Sequence, residues 1–260
     1  MFTAYHIVWL VICFVLISAA LVLLRKYRLP LQTVLTLACA GCALSETVKV
    51  LSSITLVASA DGSTFYPYLP LNHLPFHLCS LQILFIYYVR FSGSTSRRNT
   101  LLAFMYPSCL IGAFLALLMP SIFSNSIEPS QAFTHPLGYQ YFLYHSMLIV
   151  LAVQIWQSGE VDFRTRHYWS SMGILGALGL ICIYLNSICS SATYENGELI
   201  SVDFGTNFFF IFQPPLSIAL TELWQWYAYF AILAALAFLL VGLVYIPVFR
   251  KAKKLKQQSA

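Results

Sequence analysis

The sequence predicts an all-α polytopic membrane protein of seven transmembrane helices. Its N-terminus is expected outside and its C-terminus in the cytoplasm, with one membrane domain filling residues 1–260. Three observations carry this expectation. Hydrophobic residues make up 59% of the chain and charged residues 9%, where a soluble domain carries about 25% charged residues. Apolar runs recur from end to end, and a membrane span needs roughly 20 such residues. Thirteen of the fourteen Lys and Arg residues fall on one side of the alternating runs.

The spans are expected at 5–24, 31–57, 73–91, 100–120, 139–157, 168–189 and 216–246. The first, Tyr5 to Leu24, has no basic flank before it, and Arg25, Lys26 and Arg28 follow it. It is also longer than a signal-peptide core, so it reads as a retained helix. The second carries Glu46 and Lys49, a spacing that puts both on one helix face. Ionisable groups at membrane depth usually face a bundle interior or a wet cavity, although such a pair can also serve helix packing. The third opens at Leu74-Pro75-Phe76-His77-Leu78-Cys79. Pro75 suits a first helical turn, which places His77 and Cys79 one to two turns below the outer surface on nearly opposite sides.

Tyr106-Pro107 predicts a kink in the fourth span. The fifth opens with Tyr139, Gln140, Tyr141, Tyr144 and His145. The sixth carries Gly173, Gly176 and Gly179, expected as a close-packing face, and ends with Tyr184, Asn186 and Ser187. After an acidic loop, Gly205 to Pro215 is apolar but short, and it suits a half-span dipping into the outer leaflet. Glu222 and Gln225 open the seventh span, where Trp224 and Trp226 read as interfacial anchors.

Arg and Lys follow spans one, three, five and seven. The other loops hold Asp61, Glu128, Glu195, Glu198 and Asp203 with no Lys or Arg. The positive-inside rule then sets the orientation. The basic residues are short membrane flanks, so no nucleic-acid partner is indicated. Seven cysteines, most within apolar runs, do not suggest a disulfide framework. Cys39 and Cys42 read first as small polarizable packing residues. No metal site or cofactor is expected.

Polar residues gather in the outward halves of the spans: Glu46, Lys49, His77, Cys79, Gln82, His145, Asn186, Asn207, Gln213, Glu222 and Gln225. The inner halves are almost purely apolar. One polar cavity open toward the outer leaflet is therefore expected. A membrane Cys or His taken alone is more often a packing or hydrogen-bonded core residue, and Asn186 and Asn207 also suit interhelical hydrogen bonds. Taken together they suggest chemistry, because an ionised Cys is a strong nucleophile and a neighbouring His can take its proton. A base for Cys79 must come from another helix. Asn side chains or N–H groups of the Asn207 stretch could stabilise an oxyanion. The chain has no nucleotide-binding loop, so membrane phospholipids are the expected acyl donors and acceptors.

Leu74-Pro75-Phe76-His77-Leu78-Cys79, Tyr144-His145, Asn186, and Gly205-Thr206-Asn207-Phe208 with Pro214 resemble the YwaF-type integral membrane family of bacteria. That family is related to the transmembrane-protein-164 acyltransferases. The resemblance covers nearly the whole chain. It implies a lipid acyltransferase in which Cys79 is the nucleophile and His145 the base, with His77, Asn186 and Asn207 as supporting motif positions. The family's last motif has Tyr after the Asn. Phe208 stands there in this chain and removes a hydroxyl.

Two classes of function follow. The first is a phospholipid transacylase or lipid ester hydrolase acting at the outer leaflet. The second is a transporter or sensor binding a polar solute through Glu46, Lys49 and Glu222. Haem ligation by His77 and His145 ranks lower, and a retinal protein is disfavoured because span seven lacks a Lys. The oligomeric state is not set by the sequence.

Overall fold

A computed structural model describes residues 2–214 and 220–258. Pro215 and the expected start of the seventh span at 216–219 lie outside the described residues. The chain forms two compact units. One comprises Met1–Leu69 with Cys79–Phe163, and the other Pro70–Leu78 with Arg164–Ala260.

The first unit begins with α1 (Ala4–Tyr27), started by Thr3, whose hydroxyl accepts the His6 N–H. Arg28 stops it in the left-handed region (φ 49°). Next come α2 (Leu31–Ser53), α3 (Leu78–Phe91), α4 (Thr95–Leu118), the single turn α5 (Ile122–Asn125) and α6 (Pro136–Gln157). Pro136 sits at the first turn of α6, where a missing N–H costs nothing, and His135 Nδ1 accepts the Leu137 N–H as its cap.

Helix α6 is the hub, with α1, α2 and α4 all packed against it. Trp9 of α1 stacks on Phe142 at 4.8 Å and donates its indole N–H to the Ala132 carbonyl at 3.1 Å. Gln140 donates to Ser45 Oγ (2.7 Å) and Gln154 to the Leu29 carbonyl (3.0 Å), which pins α2 along α6. His6 is buried, and Leu117's carbonyl lies 2.8 Å from its Nε2. His167 is likewise buried and accepts the Arg164 N–H.

Gly138 lets the start of α6 approach the preceding turn. A Cβ there would lie 2.3 Å from the Ala132 carbonyl oxygen, a backbone atom that cannot swing aside. Gly138→Ala should therefore destabilise the unit by about 1–3 kcal/mol, the usual cost of forced overpacking. A thermal melt of the detergent-solubilised protein checks this.

The second unit holds α7 (Thr165–Ile188) and α8 (Leu223–Gln258), which pack on each other. Tyr168 is the main contact: its hydroxyl donates to the Phe238 carbonyl (3.3 Å), and its ring meets those of Tyr245 and Phe249 edge-on. The glycine row of α7 is not the tight interface expected. Among the described residues nothing lies within 4 Å of a Cβ placed on Gly173, Gly176 or Gly179. Small residues permit close approach, but a partner must also be present, and α8 packs elsewhere on the helix.

Among the described residues, five helical stretches are long and apolar enough to cross a membrane: Ala4–Tyr27, Leu31–Ser53, Thr95–Ser124, Thr165–Ile188 and Leu223–Lys253. Helix α3 is shorter, at 14 residues. Helix α6 carries Tyr139, Gln140, Tyr141, Tyr144 and His145 in its N-terminal half.

Two hairpins depart from the all-α expectation. Strands β1 (Thr55–Ala58) and β2 (Phe65–Tyr68) pair antiparallel with Thr55 opposite Tyr68. Strands β3 (Ser190–Glu195) and β4 (Glu198–Phe204) pair with Ser190 opposite Phe204. The second span therefore ends at Ser53 rather than 57, because Ile54 turns extended and the β-favouring Thr55-Leu56-Val57 finds a strand partner. In the second hairpin Asn196 and Gly197 both have positive φ (51° and 84°), the geometry of a tight two-residue turn.

The β1–β2 turn carries its own titratable brace. Ser59 Oγ donates to Asp61 Oδ1 (2.5 Å), Ser63 Oγ to Oδ2 (2.7 Å) and the Ser63 N–H to Oδ1 (3.1 Å). The Ser59 bond, then those from Ser63, hold the Asp61 carboxyl down at about 2. This lies below the ordinary value of about 3.9. The brace is thus complete above about pH 4 and is lost as pH falls through about 2. The carboxyl-carbon chemical shift of Asp61 should titrate near 2, moving up toward the ordinary value in a Ser59→Ala, Ser63→Ala double variant.

Candidate active site

Helix α3 begins at Leu78, not at 73. Residues Leu71–His73 form a 3₁₀ turn, and Leu74 is extended (ψ 143°), as a residue before proline tends to be. Pro75 therefore lies ahead of the helix rather than in its first turn. Cys79 sits in the first turn of α3, and His77 precedes the helix.

The first unit holds Cys79, His145, Glu46 and Lys49. Tyr144 of α6 donates its phenol to the Cys79 carbonyl at 2.7 Å. Helical side chains lean toward their own N-terminus, so Tyr144 reaches up α6 to meet the start of α3. His145 follows it directly. Its Nδ1 lies 2.7 Å from the Tyr141 carbonyl. A carbonyl only accepts, so Nδ1 carries a hydrogen, and in the neutral ring Nε2 then holds the lone pair, the tautomer a general base requires. The rings of Tyr141 (4.3 Å) and Tyr144 (5.6 Å) flank the imidazole, and Tyr141 is anchored to the Ala116 carbonyl at 3.0 Å.

One turn below Cys79 on the same face of α3 is Gln82, fully buried. Its amide donates to Ser108 Oγ (3.1 Å) and accepts from the Cys109 thiol (3.2 Å). This ties α3 to α4 beside Pro107. Sequence reading placed Gln82 among the cavity residues without a role, and it missed Tyr144 and Ser108 as the groups that fix α3. The signal for Tyr144 was its position next to His145.

Glu46 and Lys49 form an ion pair at 2.7 Å, with side chains 32% and 12% exposed. Both stand on α2, so the pair does not join two helices. Such a pair at helical spacing returns about 0.2–0.5 kcal/mol, whereas a charged residue at a span's centre costs about 2.5–3.5 kcal/mol to insert.

The second unit holds His77, Asn186, Asn207 and Glu222. Asn186 is fully buried near the end of α7. Its Oδ1 accepts the Phe208 N–H (2.8 Å) and the Thr206 hydroxyl (3.0 Å), and its Nδ2 donates to the Phe208 carbonyl (3.1 Å). Asn207 spans the next turn. Oδ1 accepts the N–H groups of Phe212 and Gln213, and Nδ2 donates to the Gln213 carbonyl (2.8 Å). Between them Phe209 and Phe210 take positive φ (59° and 55°), a costly conformation for residues with a Cβ. Tyr229 of α8 holds the turn by donating to the Phe210 carbonyl.

Gly205 permits this fold, since a Cβ there would lie 2.6 Å from the Cys189 carbonyl oxygen. Phe208 packs with Cys182 and Ile211, and its ring meets that of His77 edge-on at 5.0 Å. Glu222 is exposed and offers its N–H to Gln225 Oε1 at 3.0 Å. Asn186 and Asn207 thus each have hydrogen bonds committed to the backbone of residues 206–213.

A separate apolar cavity of about 330 Å³ is lined by residues such as Leu24, Val34, Ala38, Met147 and Leu151 in the first unit. It is not the polar cavity expected, and none of the polar site residues lines it.

Long apolar helices with polar side chains set among them define a polytopic helical membrane protein. The chain belongs to the TMEM164 family, whose model matches residues 1–245. This agrees with the relationship expected from the Leu74–Cys79, His145, Asn186 and Asn207 motifs. No curated protein and no solved structure matches the chain.

Proposed function

We propose that the protein is a membrane lipid acyltransferase, a phospholipid transacylase or lipid ester hydrolase, with Cys79 as nucleophile and His145 as base. The observation that carries this reading is the α3–α6 junction. Tyr144 holds the Cys79 backbone, and the adjacent His145 has its Nε2 lone pair set by the Nδ1 bond to Tyr141. Membership of the family supports it.

In the reaction, His145 Nε2 takes the Cys79 proton as the sulfur attacks an ester carbonyl of the donor lipid. The tetrahedral adduct collapses, the C–O bond breaks, and His145 returns the proton to the departing lyso-lipid oxygen. A thioester remains on Cys79. An acceptor hydroxyl then gives its proton to His145 and attacks the thioester, releasing the Cys79 sulfur, which recovers the proton. Water as acceptor makes the same sequence a hydrolysis. No nucleotide or redox partner enters the balance.

Helices α3 and α6, added to the five apolar stretches, give seven membrane-crossing helices. The basic flanks lie in the cytoplasm, so Cys79 and His145 stand toward the extracellular side of the cell membrane. Asn186 and Asn207 shape the second unit's 205–213 turn.

The test is labelling of the protein in lipid with a lipid-tailed, thiol-reactive probe, read by mass spectrometry. Cys79 should be modified ahead of Cys13 and Cys109, and His145→Ala should slow it. Labelling of Cys79 no faster than Cys109, or indifferent to His145→Ala, overturns the assignment.

A further inference from the structure

We infer that the apolar groove between α1, α2 and α6 binds one acyl chain of an anionic phospholipid, whose phosphate is held by Lys26 and Arg28 at the groove's mouth. The site is separate from Cys79 and does not rest on the acyl-transfer reading.

The groove is built for hydrocarbon. Every residue lining its volume of about 330 Å³ is apolar, from Ala20 and Leu24 of α1 through Val34 and Ala38 of α2 to Met147 and Leu151 of α6. Ligand pockets run from about 300 to 1,000 Å³, so there is room for part of one chain. No hydrogen-bonding side chain lines it, so a polar solute has nothing to meet. At about 100° per residue, Met147, Val150 and Leu151 lie roughly 140–240° round α6 from His145. The groove therefore opens on the side of α6 turned away from that imidazole. Leu23 and Leu37 of its lining are 51% and 59% exposed, so a chain can enter sideways from the bilayer.

The mouth supplies the charge. Leu24 and Leu29 line the groove at the α1–α2 corner. The Leu29 N–H donates to the Leu24 carbonyl (3.3 Å), and the Leu29 carbonyl accepts from Gln154 (3.0 Å). These bonds fix the intervening Lys26, Tyr27 and Arg28 at the groove's end. Tyr27 continues the stripe of Ala20, Leu23 and Leu24 along α1 at helical spacing. The Lys26 ammonium lies over the Tyr27 ring at 5.6 Å, which draws the charge toward the groove. Arg28 directly precedes Leu29. Both cations are exposed, and among the described residues neither forms an ion pair.

The start of α2 at Leu31 adds the positive end of a helix dipole to the same corner. The carboxylate there, Glu160, is engaged by the Leu31 N–H (3.1 Å) and by Arg98 (3.6 Å). Positive charge at the end of an apolar slot fits a phosphate at the end of an acyl chain. A choline or ethanolamine headgroup would bring its own ammonium against these cations, so the fit is to an anionic headgroup. In the orientation given above the corner meets the cytoplasmic leaflet, where anionic lipids gather.

The experiment offers purified full-chain protein phosphatidylglycerol and phosphatidylcholine of the same chain composition, and retained lipid is read by native mass spectrometry. Phosphatidylglycerol should be favoured by roughly tenfold, the scale set by two basic residues near a membrane surface. Lys26→Gln with Arg28→Asn should remove the preference. Asn tolerates the left-handed backbone at position 28 (φ 49°). Ala20→Trp fills the groove and keeps both cations, and it should lower phosphatidylglycerol retention to the level of phosphatidylcholine. Three conditions should leave the preference unchanged: the Cys79→Ala variant, the Lys251→Gln, Lys253→Gln double variant, and an excess of glycerol 3-phosphate.

Equal retention of the two lipids, or a preference that survives Ala20→Trp, would overturn the inference. So would an equal loss in the Lys251, Lys253 double variant, which would mark general attraction to any basic flank. Displacement by glycerol 3-phosphate would reduce the site to one for free phosphate, and loss in Cys79→Ala would place the lipid at the acyl-transfer site instead.

Discussion

Cys79→Ala should abolish acyl transfer, and His145→Ala should lower it by roughly 10²–10⁴-fold, the usual worth of a positioned general base. The two effects differ in kind. Without the sulfur no thioester forms, so no residual Cys-dependent route exists. Without the imidazole the thiol remains and can lose its proton to solvent at a low rate. Tyr144→Phe should fall between wild type and His145→Ala, because it removes one hydrogen bond, to the Cys79 carbonyl, worth about 0.5–1.5 kcal/mol. Release of labelled acyl chain from a phospholipid donor in reconstituted vesicles measures all three. Wild-type rates in folded Cys79→Ala protein would end the mechanism.

The largest stability effect is expected at Asn186. Its side chain makes three hydrogen bonds to the Thr206–Phe208 turn from a fully buried position. Alanine would leave the Thr206 hydroxyl, the Phe208 N–H and the Phe208 carbonyl without those partners. Each stranded group costs about 1–3 kcal/mol, so a loss of roughly 3–5 kcal/mol is expected, seen as a fall in thermal midpoint. Asn186→Asp should be milder at first sight, since a carboxylate can still accept from Thr206 and Phe208. It also turns an acceptor onto the Phe208 carbonyl, so it should still melt below wild type. A midpoint for Asn186→Ala within a degree of wild type would show that the turn is held by the Phe208–Cys182–Ile211 packing alone.

Much of the helical layout was legible because it depends on sums over local sequence. A run such as Ala4–Tyr27 leaves water whatever its neighbours do, and Pro136 marks a helix start through its own backbone preference. The candidate residues were legible for a related reason. Cys79, His145 and Asn186 are polar groups in apolar surroundings, and such groups require partners. The Asn196-Gly197 hairpin was equally legible as a tight-turn dipeptide, yet the acidic loop was read only for its charge. The start of α3 was misplaced because Pro75 suits both a first helical turn and the extended bend ahead of one.

What the sequence by itself determined is the class of the protein: apolar helices, their approximate bounds, the family, and a short roster of polar residues. The spacing of Glu46 and Lys49 also put that pair on one face. Only the tertiary structure decided the partners. It set the Tyr144 phenol on the Cys79 backbone, fixed the tautomer of His145, turned Asn186 onto the 206–208 turn, and placed nothing, among the described residues, within 4 Å of a Cβ on the α7 glycines. The physical reason is the range of the forces concerned. Transfer from water to lipid is summed residue by residue along a helix. Hydrogen-bond partners instead depend on the rotation and register of helices far apart in the chain, and a shift of one residue would carry each side chain about 100° around its helix.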